Sequence, residues 1–110
     1  IIHRISGAFF FGAAGIVATA LDRINDKPRA IILDFANVPF VDVSAAHTLQ
    51  GFIDKSNRQQ VPVYIAAATL HVRRELLANG IRKPRVSYGP SVEACLAAIA
   101  GSHEIDHDGP

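Results

Sequence analysis

Apolar positions along this chain recur with two different periods, and the switches between them divide it into alternating elements. Ile1, His3 and Ile5 alternate with Ile2, Arg4 and Ser6, the two-residue period of a strand, and Gly7 closes that run. Phe9, Phe10 and Phe11 follow. Then Ala13, Ile16, Val17, Ala20, Leu21 and Ile24 recur at three- and four-residue spacing, which predicts an amphipathic helix ended near Asp26 by the approach to Pro28. Adjacent helical positions diverge by about 100°, so the three aromatic residues cannot all face one core. At least one must be exposed or covered by a partner.

Residues 30–36 are apolar on both alternating faces except at Asp34, which predicts a central strand covered on each side. Asp34 is either a strand-end carboxylate satisfied by a backbone amide or a basic side chain, or a polar group lining a site; the sequence leaves both open. Ala45, Leu49, Phe52, Ile53 and Ser56 share one face of a helix over 45–58. Pro62 introduces another two-sided apolar strand over 61–67. Leu70 to Gly80 reads as a short helix, with Thr69 as its cap and Asn79-Gly80 as its left-handed stop. Residues 86–88 form a short strand, and Ser91 caps a last helix running to Ala100. The β-α-β-α-β-α-β-α order predicts one open α/β sheet in a single domain over 1–101, with a disordered tail over 102–110.

The stretch 37–47 is the strand-to-helix junction at the end of the central strand. Ser44 precedes the apolar helical pattern and is the expected N-cap, a role whose loss costs about 1 kcal/mol. The same helix end favours anions, so Asp42, Val43, Ser44, Ala45 and Ala46 form a candidate turn for an anion or a partner, and Ser44 a candidate phosphorylation site. Asp42 opposes added negative charge there unless it points elsewhere.

Composition narrows the classes of function. No apolar run approaches the roughly 20 residues that span a bilayer, so direct membrane insertion is not expected. Cys95 is the one cysteine, which excludes an internal disulfide and a multi-cysteine metal site. Residues 1–101 hold all 11 basic residues against seven of the 10 acidic ones, yet without a basic block or any Trp, a poor nucleic-acid footprint. The densest basic region is Arg73, Arg74, Arg82, Lys83 and Arg85, suited to an acidic partner or an anionic surface. Ser44 and His47 have helical spacing, but no Gly-x-Ser-x-Gly elbow and no orienting acid accompany them, so no catalytic residue is assigned. His103, Asp106 and His107 belong to the tail and are not read as a metal site. No Gly-rich phosphate loop or other cofactor motif occurs. The chain opens without Met, directly on strand-like residues, and reads as a fragment of a longer protein.

Three stretches together carry a resemblance: Ile5-Ser6-Gly7-Ala8-Phe9-Phe10-Phe11-Gly12-Ala13-Ala14, then Ala30-Ile31-Ile32-Leu33-Asp34-Phe35, then Val38-Pro39-Phe40-Val41-Asp42-Val43-Ser44-Ala45. From about Ile1 to Ala100 the chain resembles the STAS domain at the cytoplasmic C-terminus of SulP-type anion transporters. The resemblance implies an open mixed sheet with about four helices packed mainly on one side, a non-enzymatic regulatory role, and a nucleotide as a further candidate ligand of the Asp42 to Ala46 turn. It implies attachment to a transmembrane domain of the same transporter, at the cytoplasmic face of the membrane. A cytosolic protein or a second copy is a further candidate partner, with Phe9, Phe10, Phe11, Arg73, Arg74 and Arg82 as candidate docking residues. The fold is shared with anti-sigma factor antagonists, in which a serine directly after the junction aspartate is phosphorylated; that position here is Val43. The alternative, a stand-alone antagonist-like signalling protein, therefore depends on Ser44, one residue further on.

Overall fold

The computed structural model describes residues 1–12 and 27–108, with side chains as far as 101. The helix expected over 13–26 lies outside the described residues. Strands β1 (Ile2–Ser6), β2 (Ala30–Asp34), β3 (Val63–Ala66) and β4 (Ser87–Gly89) form one sheet in the order β1-β2-β3-β4. Each neighbouring pair is parallel, with Ser6 opposite Asp34, Asp34 opposite Ala66, and Ala66 opposite Gly89. Among the described strands this corrects the mixed sheet that the resemblance implied. Helix α1 begins at residue 7, while α2 (Val43–Arg58) and α3 (Leu70–Ala78) connect β2 to β3 and β3 to β4. A helical crossover returns the chain to the edge where it started, so the next strand must run parallel.

Crossovers of one hand, stepping one way across a sheet, place their helices on one face. Phe10 of α1, Leu49, Phe52 and Ile53 of α2, and Val72 and Leu76 of α3 accordingly join Ile31, Leu33 and Ile65 in one core. Helix α4 (Val92–Asp108) follows β4 and packs on the opposite face. There Val92, Cys95 and Ile99 cover Ala30, Ile32 and Ala66. Alternate residues of β2 thus enter different cores, which is why its sequence is apolar throughout. The helices do lie mainly on one side. Helix α4 runs past Ala100 to Asp108, so the expected tail is helical in its backbone to that point. Nothing interrupts it before Gly109-Pro110, since a single glycine at 101 weakens a helix without ending it.

Gly7 fixes how closely α1 can approach the sheet. A Cβ there would lie 2.4 Å from Val38 Cγ2 and 3.1 Å from Phe35 Cδ1, so only hydrogen fits between α1 and the β2–α2 connection.

Candidate functional site

All four strands end at the same side of the sheet, and the four strand-to-helix junctions lie there next to one another. At the first, Ser6 Oγ accepts from Phe9 N at 3.1 Å, which starts α1 immediately after β1. That register separates the three aromatic residues. Phe10 is fully buried, edge-on to Phe52 at 5.0 Å and to Phe11 at 5.1 Å, and Phe11 packs on Phe35 at 5.8 Å. Phe9 is left in solvent, as three consecutive aromatics require. Phe10 is consequently no docking residue, and Phe11 is half-buried.

The second junction corrects the expected cap. Asp42, not Ser44, is the N-cap of α2: its Oδ1 accepts from Ala45 N at 2.7 Å, and the helix starts at Val43. The carboxylate is the better partner for an unpaired first-turn amide, because a charged acceptor also offsets the helix dipole. Ser44 lies inside the first turn with its side chain exposed, and no hydrogen bond joins it to His47 among the described residues. The positive end of α2 is already occupied by the chain's own anion, which disfavours a phosphate or nucleotide in the Asp42 to Ala46 turn. Val41 N donates to Glu75 Oε1 at 3.1 Å, which ties this connection to α3. Asp34 resolves as a satisfied carboxylate, accepting from Ala36 N at 3.0 Å and pairing with Arg4 at 3.2 Å.

The third junction turns through Ala67, which has a φ of 61° despite its side chain. Its N–H donates to the Gly89 carbonyl at 3.0 Å, and Thr69 caps α3 by accepting from Val72 N at 3.2 Å. Beside it, Ala67, Ala68, Leu70, Arg73, Tyr88, Gly89 and Pro90 enclose a cavity of about 410 Å3. Arg73 lies over the Tyr88 ring, 5.0 Å from its centroid, and both residues also line a second cavity with Leu77, Arg82 and Lys83. Tyr88 donates to the Ile81 carbonyl at 2.6 Å. Burial pushes its phenol up to about 12, although Arg73 and then Arg82 pull it the other way. Arg85 is paired with Asp54, whereas Arg73, Arg82 and Lys83 have no carboxylate partner among the described residues. Arg74 lines neither cavity. Burial raises the Cys95 thiol above its ordinary value and leaves it an inert core residue.

Together the junctions expose an apolar rim, of which the sequence pointed to Phe9 and, within the candidate turn, Val43. Phe9 is 59% exposed, Phe40 62%, Val43 75% and Leu70 63%, one or two from each of the first three junctions. Phe9 and the basic residues belong to opposite ends of the strand order, so the expected docking residues do not form one cluster. No group of three metal-ligating side chains occurs among the described residues.

Comparison with known proteins decides the family. The STAS domain model matches residues 1–84. The chain belongs to the STAS domain family. This STAS domain is 30% identical over 76 residues to the bicarbonate transporter BicA of Synechocystis, a match covering 69% of the chain and only 13% of that protein. The SulP transporter STAS domain of Vibrio cholerae superposes with a TM-score of 0.83 at 28% identity, over 94% of this chain and 82% of that one. A sulfate transporter family protein from Wolinella succinogenes has a TM-score of 0.75 at 24% identity, covering 94% and 86% of the two chains. A chain of the stressosome, a signal integration and transduction hub, has a TM-score of 0.73 at 12% identity, over 93% and 90%, a likeness of fold alone.

Proposed function

We propose that this STAS domain is a non-catalytic regulatory and interaction module of a SulP-type anion transporter, docking on the transmembrane part of the same protein at the cytoplasmic face. The observation that carries the reading is the rim of Phe9, Phe40, Val43 and Leu70. Large exposed apolar side chains grouped at one end of a small domain suit a protein surface better than a substrate. The likeness to the SulP domain of Vibrio cholerae and to BicA supports a transporter, and the small share of BicA that is matched supports a larger partner within the same chain. Among the described residues no helix is long and apolar enough to cross a membrane, so that partner would be supplied by other segments.

Asp replacements at Phe40 and Val43 in the full-length parent test this. Anion flux altered at unchanged protein level is the expected result; flux indistinguishable from the parent's would overturn it. Ser44 keeps a second reading in view, because its exposed side chain in the first turn of α2 is accessible to a kinase. Incubation with a cognate kinase and phosphate mapping would favour antagonist-like signalling only if Ser44 is labelled.

A further inference from the structure

The two cavities beside Tyr88 share Arg73 and Tyr88 as a common wall, and we treat them as the two halves of one groove along α3 and β4, which differ in chemistry. One half is walled by Ala67, Ala68, Leu70, Gly89 and Pro90, and the other by Arg73, Leu77, Arg82 and Lys83; Arg73 stacked on Tyr88 is the partition between them. Three cations line the second half with no carboxylate partner among the described residues, while nearby Arg85 already holds Asp54. Cations gathered along one groove without a counter-charge favour an arriving anion. Arg82 is held by its bond to the Leu77 carbonyl at 3.2 Å and Arg73 by the Tyr88 ring, which orders two of the three charges although all three residues are exposed.

The adjoining helix end agrees with this. Helix α2 is capped by a carboxylate and α4 has Glu93 in its first turn, but α3 is capped by the neutral Thr69 hydroxyl and has no acidic residue in its first turn. Its positive end is left uncompensated, and Leu70 and Arg73 from its first turns line the cavity.

We propose that this groove binds a phosphomonoester dianion, with Arg73, Arg82 and Lys83 holding the phosphate and the apolar half beside Tyr88 taking the group that carries it. Two arginines and a lysine match a doubly charged, multiply accepting oxyanion better than a single carboxylate. Cavities of about 410 and 460 Å3 leave room for a small body beyond the phosphate. The site meets the apolar rim at Leu70, and its ligand need not be a protein.

The test is an amide chemical-shift titration of the isotope-labelled 110-residue chain with phenyl phosphate, alongside sedimentation with phosphatidylcholine vesicles with and without phosphatidylinositol 4-phosphate. Saturable shifts at Ala67, Ala68, Arg73, Tyr88 and Gly89 are expected, with affinity reduced about tenfold by Arg73→Gln and less by Lys83→Gln. Arg74→Gln, one position away and outside both cavities, should change nothing. Binding of the soluble ester assigns the site to free phosphomonoesters, and Arg73-dependent binding confined to phosphoinositide vesicles assigns the same chemistry to a lipid headgroup. Absence of both, or equal losses for Arg73→Gln and Arg74→Gln, would overturn the proposal.

Discussion

The rim at β1 to β3 and the groove at β3 to β4 are neighbours at one end of the same sheet, yet they were built by opposite devices. At the rim, Phe9, Val43 and Leu70 fall in the first turn of their helices and stay outside the core. At the groove, the loop between α3 and β4 carries Arg82 and Lys83 to the side of Arg73 and Tyr88. Exposed apolar side chains on the first side and a cation-lined groove on the second suit two kinds of partner: a surface and a small anion. The contrast also shows why adjacent residues can have unrelated roles, as Phe9 and Phe10 do.

That pair offers the largest effect. Phe10→Ala should cost about 3–5 kcal/mol by emptying the core beneath α1, while Phe9→Ala stays within about 0.5 kcal/mol, both read from denaturant midpoints. Equal costs would dissolve the distinction between rim and core. Gly7→Ala should follow at about 1–3 kcal/mol, since its Cβ meets Val38 Cγ2 at 2.4 Å and the neighbouring chain must shift. The cap at the second junction is smaller: Asp42→Ala should lose about 1 kcal/mol and Ser44→Ala almost nothing. The reverse order would restore Ser44 as the cap.

Two gains are expected where the fold carries strain or an unmet polar group. Ser56 is fully buried, with a hydroxyl that finds no partner among the described residues, and Ser56→Ala should stabilise by about 1 kcal/mol. Ala67→Gly should relieve the left-handed conformation for a net gain of about 0.5–1 kcal/mol. The smallest effect concerns Tyr88. Its phenol is raised to about 12 in the folded domain against about 10 unfolded. The unfolded state therefore loses its proton first, and this contribution is complete below about pH 10 and lost as pH rises toward 12. Partial exposure to solvent keeps it modest, and Tyr88→Phe should flatten that part of the alkaline stability profile.

Periodicity alone located the four described strands, the faces of α2, and the caps Thr69 and Ser91, because each of these is a local pattern. The parallel pairing of the sheet depends on where the connecting helices go, and the implied mixed sheet was corrected by that geometry. Ser44 was misplaced as a cap because two residues with capping side chains stand close together, and only the helix register separates them. Tyr88 and the exposed Phe40 and Leu70 were missed for a different reason. Their roles arise from contacts, or missing contacts, between distant elements, and a strand tyrosine beneath a helical arginine leaves no mark in local spacing.

The most direct test of the interaction module is a photo-crosslinking side chain placed at Phe40 in the full-length parent protein, with the same group at Glu93 on α4 as the control. The rim account predicts a crosslink from position 40 into the membrane-embedded part and none from position 93. Equal crosslinking from both positions, or none from either in a folded protein, would contradict it.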